Sequence, residues 1–153
     1  MALEEGDVIA MGVMPGGVEW RTWPEDRVSV SEEGLLVTQT ADEVSLTHTG
    51  EELTEGRHYW EVEIAGQATD CLLGVCRPDA DPRAEHGKQE HTTAWLMDAG
   101  WGSLWGNGKE LDDHAGGFNQ GDRMGILLDL DDGSLRFFKN GVEHAAPATQ
   151  QAV

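Results

Sequence analysis

The chain has 153 residues, a mass of 16.7 kDa and 29 acidic residues against 10 basic ones, which gives a formal net charge of -19. A chain of this length forms one domain and buries roughly two-thirds of the surface that its unfolded form exposes. Nucleic-acid binding needs clustered Lys and Arg side chains that neutralise phosphates, and the sequence has no such cluster. The composition therefore predicts one acidic domain that does not bind nucleic acid, and whose acidity serves solubility or favours basic partners.

The two cysteines, Cys71 and Cys76, lie within one apolar run and predict free thiols. Five residues of strand hold their Cα atoms about 16 Å apart and on opposite faces, whereas a disulfide needs Cα atoms within about 7 Å. The sequence contains no signal peptide, transit peptide or long apolar segment. We therefore expect a cytoplasmic protein that does not associate with a membrane.

Residues 18–48 predict a series of short strands. Residues 1–17 form an N-terminal segment that could supply an edge strand, and the main domain begins at residue 18. The turns between the strands come close together, and one of them falls at Glu33-Gly34. The predicted strands are VEWRTW, RVSV, LLVTQT and VSLTH.

Two further strands and a long loop follow. Trp60, Val62 and Ile64 alternate with glutamates in RHYWEVEIA, which predicts a strand with one dry and one wet face. Residues 71–76 are apolar on both faces and predict a central strand. Residues 77–91 are polar and proline-containing, so we expect them to form the longest loop.

Residues 93–122 predict a hairpin between two loops. TAWLMD at 93–98 resumes the strand pattern, and Asn107-Gly108 makes a hairpin turn between GSLWG and KEL. Residues 112–122 contain three glycines and form a second loop.

The strongest fold signal is GILLDLDDGSLRFFKNG at residues 125–141, because two hairpin turns lie eight residues apart. Asp132-Gly133 and Asn140-Gly141 each supply the two positive-φ positions of a type I′ turn. The apolar residues around these turns alternate at period two and predict a β-meander. They are Met124, Ile126, Leu128, Leu130, Leu135 and Phe137. No segment sustains helical periodicity, so many short strands with Gly-bearing turns predict an all-β sandwich or barrel.

Three separated motifs resemble the SPRY domain family and occur in the order typical of that family. They are GRHYWEVEI at 56–64, LGV at 73–75, and GD at 121–122 continuing through LDL at 128–130 to FFKNG at 137–141. The preceding VSVSEEGL at 28–35 resembles the strand pair that often leads into this core. The resemblance covers roughly residues 18–144 and leaves 145–153 as a C-terminal tail.

The resemblance implies an antiparallel β-sandwich of two bent sheets, of the concanavalin or jelly-roll type. Such a domain serves as a protein-interaction module whose ligands are held by loops at one edge and surface. Relatives in the family serve in ubiquitin-ligase adaptors, innate immune sensors, ion-channel regulators and methyltransferase complexes. None of these roles is chemistry done by the domain, so the resemblance implies a binding module rather than an enzyme.

The C-terminal residues depart from the family pattern. In the family, a strand, a Gly-Pro loop and a closing apolar strand follow the Asn-Gly turn, and residues 142–153 lack the closing strand. A missing strand leaves a sheet edge unpaired, which proteins normally cover or blunt. We expect either the N-terminal segment around residues 8–13 or another chain to cover this edge, or else a truncated module of marginal stability.

Aromatic and charged residues near the predicted loops are the candidate binding residues. Aromatic side chains bury a large area with few rotatable bonds, and surface loops on a rigid sandwich commonly carry recognition. Trp60 is assigned to the core, whereas Trp95 matches a family strand that contributes to both core and binding pocket. The predicted partner-binding residues are Arg77, Asp79, Arg83, Trp95, Trp101, Trp105 and Asn107.

The sequence predicts no metal, cofactor or catalytic site. Glu85-His86 and Glu90-His91 lack the i, i+4 spacing of helical zinc motifs and any CxxC partner. The segment from Asp129 to Gly133 resembles a calcium loop, but its glycine comes one position early and no glutamate follows at the ligand position. The Gly-x-Ser-x-Gly, phosphate-loop, Gly-x-Gly-x-x-Gly and His-Glu-x-x-His motifs are absent.

Three functional hypotheses follow from these observations. The first is a non-enzymatic module, serving as an adaptor, that binds a basic or polar peptide or protein surface through loops around 77–92, 98–108 and 112–121. The second is a carbohydrate-binding sandwich, because lectins use the same fold class and the same aromatic loops. The third is a hydrolase or metal-dependent enzyme with dispersed catalytic residues. The oligomeric state is not predicted.

Overall fold

A computed structural model describes residues 8–10, 20, 24–31, 33–41, 47, 49, 52–69, 71–81, 94–106, 109–112 and 116–145, with the backbone alone for 8–10 and 112. These ranges contain eleven β-strands and no helix. In chain order the strands are β1 (Val8–Ala10), β2 (Val28–Ser31), β3 (Leu36–Gln39), β4 (Arg57–Ile64), β5 (Leu72–Cys76), β6 (Ala94–Asp98), β7 (Leu104–Gly106), β8 (Lys109–Asp112), β9 (Arg123–Asp129), β10 (Ser134–Lys139) and β11 (Val142–Ala145). A membrane-spanning helix is therefore not found in the part of the chain just given.

The strands form two antiparallel sheets. One sheet has seven strands in the order β11-β10-β9-β4-β1-β3-β2, and the other has four in the order β5-β6-β7-β8. Side chains from both sheets meet in one apolar cluster, which includes Val62, Met124 and Phe137 from the larger sheet and Leu73 and Met97 from the smaller one. The prediction of an all-β antiparallel sandwich is confirmed.

The core follows the period-two patterns of the sequence. Val62 and Ile64 of β4 are buried, and Trp60 packs against the cluster, as their alternation with glutamates predicts. The inward residues of β9 and β10 are also buried, so the meander prediction is confirmed. They are Met124, Ile126, Leu128, Leu135 and Phe137.

Of the two predicted type I′ turns, the structure confirms the one at Asn140-Gly141 and not the one at Asp132-Gly133. Asn140 and Gly141 both have positive φ, at 51° and 83°, and lie between the paired residues Lys139 and Val142, as a two-residue turn requires. In the β9–β10 connection, the register pairs Asp129 with Ser134 and leaves four residues between them. Gly133 has positive φ (68°) but Asp132 does not, so the prediction of a type I′ turn there is wrong.

Two strand positions also differ from the sequence predictions. β5 was predicted to be a central strand, but among the described strands it pairs with β6 alone and forms an edge of the smaller sheet. β1 was predicted to supply an edge strand, but it pairs with β3 on one side and β4 on the other. Since Val8–Ala10 lies inside the larger sheet, these residues do not cover a sheet edge.

Several sequence predictions lie wholly or largely outside the described residues. They concern the strands VEWRTW and VSLTH, most of the loop after residue 81, and the C-terminal tail from residue 146.

Candidate functional site

The hairpin between β6 and β7 presents Trp101, whose residue surface is 60% exposed. The Asp98 side chain organises its tip, because Oδ1 accepts hydrogen bonds from the backbone N–H of Gly100 (2.7 Å) and of Trp101 (3.2 Å). The Asp98 backbone closes the same loop, with its carbonyl accepting from Gly102 N (2.7 Å) and its N–H donating to Ser103 O (2.8 Å). The tip that carries the indole is therefore fixed by its own hydrogen bonds.

Backbone contacts from two neighbouring loops hold the same hairpin in place. Ala99 N donates to Cys71 O at 2.7 Å on one side, and Phe118 N donates to Ala99 O at 2.6 Å on the other. The approach is close enough to require glycine at two positions. A Cβ atom at Gly117 would lie 2.0 Å from Gly100 O, and one at Gly102 would lie 2.5 Å from Gly116 O. We refer to residues 116–118 as the buttress loop.

Two side chains from the larger sheet hold the buttress loop. Lys139 Nζ donates to Gly117 O at 2.7 Å, and its ammonium group lies 5.3 Å from the centre of the Phe118 ring. His144 Nε2 lies 2.7 Å from Gly116 O, and because a carbonyl oxygen only accepts, Nε2 carries the hydrogen. Both sheets thus contribute to the position of Trp101.

A fixed and exposed tryptophan is well suited to bind a protein surface. Tryptophan is enriched among the residues that contribute most to protein interfaces. Holding the residue in place before binding reduces the conformational entropy that association would otherwise cost. Trp101 is therefore the strongest candidate for a binding anchor among the described residues.

Arg77 and Trp95 form a second feature, at the opposite end of β5 from Trp101. The Arg77 guanidinium carbon lies 5.6 Å from the centre of the Trp95 ring, within cation–π distance. Trp95 is only 3% exposed and belongs to the core cluster, and its Nε1 has no hydrogen-bond partner in the structure. Arg77 is exposed and Trp95 is not, so Arg77 is the member of the pair that a partner can touch.

The remaining predicted site residues are dispersed. Trp105 of β7 is half-buried and is the cross-strand neighbour of Leu96 in β6. Asp79 is exposed in the turn after β5. Arg83 and Asn107 lie outside the described residues. The structure thus brings Arg77 and Trp95 together and places Asp79 in the turn that begins at Arg77, whereas Trp101 lies at the opposite end of β5.

Sequence reasoning missed the residues that position Trp101. Asp98, Gly117 and Lys139 carry no recognisable binding motif, and their role follows from contacts between distant segments. One signal was available, because glycines on both sides of Trp101 and a glycine pair at 116–117 indicate close backbone approach.

A buried carboxylate outside this site shapes the β9–β10 connection. Asp129 is 1% exposed, accepts a hydrogen bond from Arg57 Nε, and accepts two more from the backbone N–H groups of Asp131 (3.1 Å) and Asp132 (3.3 Å). Burial raises the pKa of this carboxyl, but the hydrogen bonds from Arg57 and the backbone outweigh that effect and hold its pKa below the ordinary value. The role of Asp129 in this structure is to fix a turn.

The described residues offer no group suited to metal or thiol chemistry. Within the ranges that the structure covers, no three His, Cys, Asp or Glu side chains are grouped to hold a metal ion. Glu85-His86 and Glu90-His91 fall outside those ranges. Neither Cys71 nor Cys76 forms a disulfide, and burial raises the pKa of the Cys76 thiol, which disfavours the reactive thiolate.

Comparisons with known proteins agree with the fold. The SPRY domain of human HERC1 superposes with a TM-score of 0.62 over 86% of this chain and 84% of that chain, at 20% identity, which shows a shared fold. The E3 ubiquitin-protein ligase TRIM11 of Bos taurus is 36% identical over 88 residues, which are 58% of this chain and 18% of that protein. Butyrophilin subfamily 1 member A1 of Mus musculus and that of Homo sapiens are each 33% identical over 92 residues, covering 58% of this chain and 16% of each relative.

The chain thus spans less than a fifth of the length of these curated relatives. The model of the SPRY domain family matches residues 57–152, which is more than half of the chain. That match covers the segment from β4 to β11, which includes the Trp101 hairpin and the buttress loop. The chain belongs to the SPRY domain family.

Proposed function

We propose that this protein is a non-enzymatic interaction module that binds a peptide or protein surface, with Trp101 as its anchor. SPRY domains are protein-interaction folds, and relatives of this chain include a protein named as an E3 ubiquitin ligase. A role as an adaptor that recruits a protein to a larger assembly is therefore part of the proposal. Neither Cys71 nor Cys76 forms a disulfide, which fits a reducing compartment and supports a cytoplasmic location as part of the proposal.

One observation carries the proposal. Trp101 is 60% exposed, and the loop that carries it is held by hydrogen bonds of its backbone to the Asp98 carboxylate, to Cys71 and to Phe118. An exposed tryptophan costs solvation free energy in an unbound protein, because its apolar ring contacts water. This cost is removed when a partner covers the ring. Because the loop is already ordered, its backbone loses little conformational entropy on binding.

The charge of the chain supports a basic or polar partner. The formal net charge of -19 repels acidic surfaces and raises the rate of encounter with basic ones at low salt. Screening shortens this field to about 8 Å at physiological ionic strength. We therefore expect association to slow as salt increases, while the anchor contact of Trp101 persists.

Selection from a displayed peptide library against the whole chain tests the proposal. Ligands that survive should bind by calorimetry with micromolar or lower Kd, and Trp101→Ala should weaken them by roughly tenfold or more, the loss typical of an interface anchor. Val142→Ala is the matched control, because Val142 is also an exposed apolar residue, at 70%, but lies on the edge of the other sheet. Equal losses from the two variants, or binding to a glycan array with no peptide ligand, would refute the proposal.

A further inference from the structure

The four edge strands of the two sheets differ in how they are protected from pairing with another chain. β8 carries Lys109 and Glu110, and β11 carries Glu143 and pairs through a bulge at Phe137 and Phe138. Charged residues and bulges are the devices by which proteins prevent unwanted edge pairing. β2, which reads VSVS, and β5, which reads LLGVC, both have no charge, no proline and no bulge. β2 still exposes two serine side chains, whereas β5 carries no hydroxyl, amide or charged side chain.

The register shows which backbone groups of β5 face outward. Cys71 lies just before β5 and Ala99 just after β6, and Ala99 N donates to Cys71 O. Cys71 and Ala99 are therefore a hydrogen-bonded pair of the ladder. In an antiparallel ladder such pairs recur at every second residue, and the residues between them direct both backbone groups away from the neighbouring strand. In the described part of the chain, no strand pairs with that side of β5. The outward groups belong to Leu72, Gly74 and Cys76.

This edge joins the two exposed parts of the candidate site. At its first residue, Leu72 pairs with Asp98, whose carboxylate holds the Trp101 tip. At its other end, β5 runs directly into Arg77. Five residues of strand span about 13 Å between first and last Cα, so an extended segment of similar length runs from Leu72, which lies beside the Trp101 hairpin, to the end of β5 next to Arg77.

We propose that the partner binds as an added β-strand along the edge of β5 that no described strand occupies, between the Trp101 hairpin and Arg77. This inference rests on the proposed function and names its mode of binding. The partner segment is extended and uncharged in the middle, because the edge offers backbone groups flanked by the half-buried side chains of Leu72 and Cys76. It carries Lys or Arg at its ends, because the chain is strongly acidic and Asp79 is exposed in the turn that follows the edge. A second copy of this chain is disfavoured, since two molecules with a charge of -19 repel each other.

Amide hydrogen exchange, followed by nuclear magnetic resonance on the whole chain, tests this mode. The probe is a synthetic peptide of about five alternating valine and threonine residues with lysines at both ends, matched to the length of the edge. We expect the amides of Leu72, Gly74 and Cys76 to exchange rapidly in the free protein and to become at least about tenfold slower with the peptide bound. Their neighbours Leu73 and Val75, which bond to β6, should exchange slowly in both states.

A pair of peptides that differ only in backbone methylation supplies the control. N-methylation of the alternate amides that face β5 should weaken binding roughly tenfold or more, because each methyl group removes a donor. N-methylation of the other alternate amides should leave binding within about threefold, since those groups face solvent. Both peptides have the same side chains and the same charge, so the difference reports backbone pairing alone.

The outcomes separate this inference from the proposed function. Protection of the three outward amides, together with the methylation difference, supports strand addition. Peptide binding that depends on Trp101 without protection at β5 overturns the inference and leaves the interaction module intact. The inference is also overturned if the three amides are already protected in the free monomer, if the chain dimerises through this edge, or if the probe does not bind.

Discussion

Gly117→Ala should displace the Trp101 hairpin without changing a residue of the hairpin itself. The added Cβ would lie 2.0 Å from Gly100 O, and real Cβ atoms essentially never come closer than 3.0 Å to such an atom. The obstructing atom is backbone, so the buttress loop and the hairpin must separate by about 1 Å. Such a shift also strains the hydrogen bond from Phe118 N to Ala99 O, which is 2.6 Å long.

The expected magnitude follows from these contacts. Overpacking costs ~1–3 kcal/mol of unfolding free energy, and weakening one hydrogen bond adds ~1 kcal/mol. If the displaced Trp101 leaves a gap of about 1 Å to its ligand, a quarter to a half of the dispersion energy between the two is lost. Ligand affinity should therefore fall roughly tenfold. Urea denaturation followed by circular dichroism measures the first effect, and calorimetry with a Trp101-dependent ligand measures the second.

The neighbouring Gly116→Ala is the control, because a Cβ atom there would meet nothing within 4 Å. Its positive φ of 93° still penalises alanine, at ~1–2 kcal/mol, so this variant loses stability without pushing the hairpin. Ligand affinity should therefore fall for Gly117→Ala and not for Gly116→Ala. If both variants bind alike, or if Gly117→Ala matches the wild type in stability and affinity, the assignment of residues 116–118 as a buttress is wrong.

Substitutions at three further positions test the contacts around the site and in the β9–β10 turn. Asp98→Ala should weaken Trp101-dependent binding severalfold and lower the unfolding free energy by ~1 kcal/mol, because it removes the acceptor of two backbone hydrogen bonds. Asp98→Asn should retain binding, because its amide oxygen can accept the same two bonds. Equal affinities of the two variants by calorimetry would contradict this role of Asp98. Lys139→Met keeps an apolar stem beside Phe118 but loses the bond to the buttress loop, so thermal unfolding should report a loss of ~1 kcal/mol and a smaller drop in affinity than Gly117→Ala. Because the folded pKa of Asp129 lies below its ordinary value of 3.8, its contribution to stability is complete above that value and is lost as the pH falls through the lower folded value. Compared with the wild type, Asp129→Asn should therefore have a lower unfolding free energy at neutral pH, and this free energy should fall less steeply as the pH drops below 3.8. An equally steep fall in both proteins during acid titration would contradict the role assigned to the hydrogen bonds of Asp129.

The parts of the fold that sequence patterns predicted are those that local alternation decides. Val62 and Ile64 are buried because every second residue of a strand faces the same side, whichever strands lie beside it. The turn at Asn140-Gly141 needs positive φ at both residues, and these residue types adopt it readily. Neither feature depends on contacts with distant segments.

The features that sequence patterns missed depend on such contacts. An apolar strand such as β5 can be central or an edge, and only the strand order decides, since both of its faces are apolar in either case. The β9–β10 connection takes four residues because the Asp129 carboxylate, held by Arg57 of β4, captures two backbone N–H groups in the turn. Arg57 is 72 residues away in sequence, so the local Asp-Gly preference was overridden by a tertiary contact.

The exposure of Trp101 is likewise a property of the whole sandwich. Its hairpin belongs to the smaller sheet, whereas Lys139 and His144, which hold the buttress loop, belong to β10 and β11 of the larger one. Because β11 is an edge strand, it is one of the elements whose backbone opens most readily. Local opening of β11 would release His144 from Gly116 O while leaving the Asp98 bonds of the hairpin intact. The anchor should then loosen before the hairpin unfolds, so the rigidity of the site depends on an edge strand of the opposite sheet.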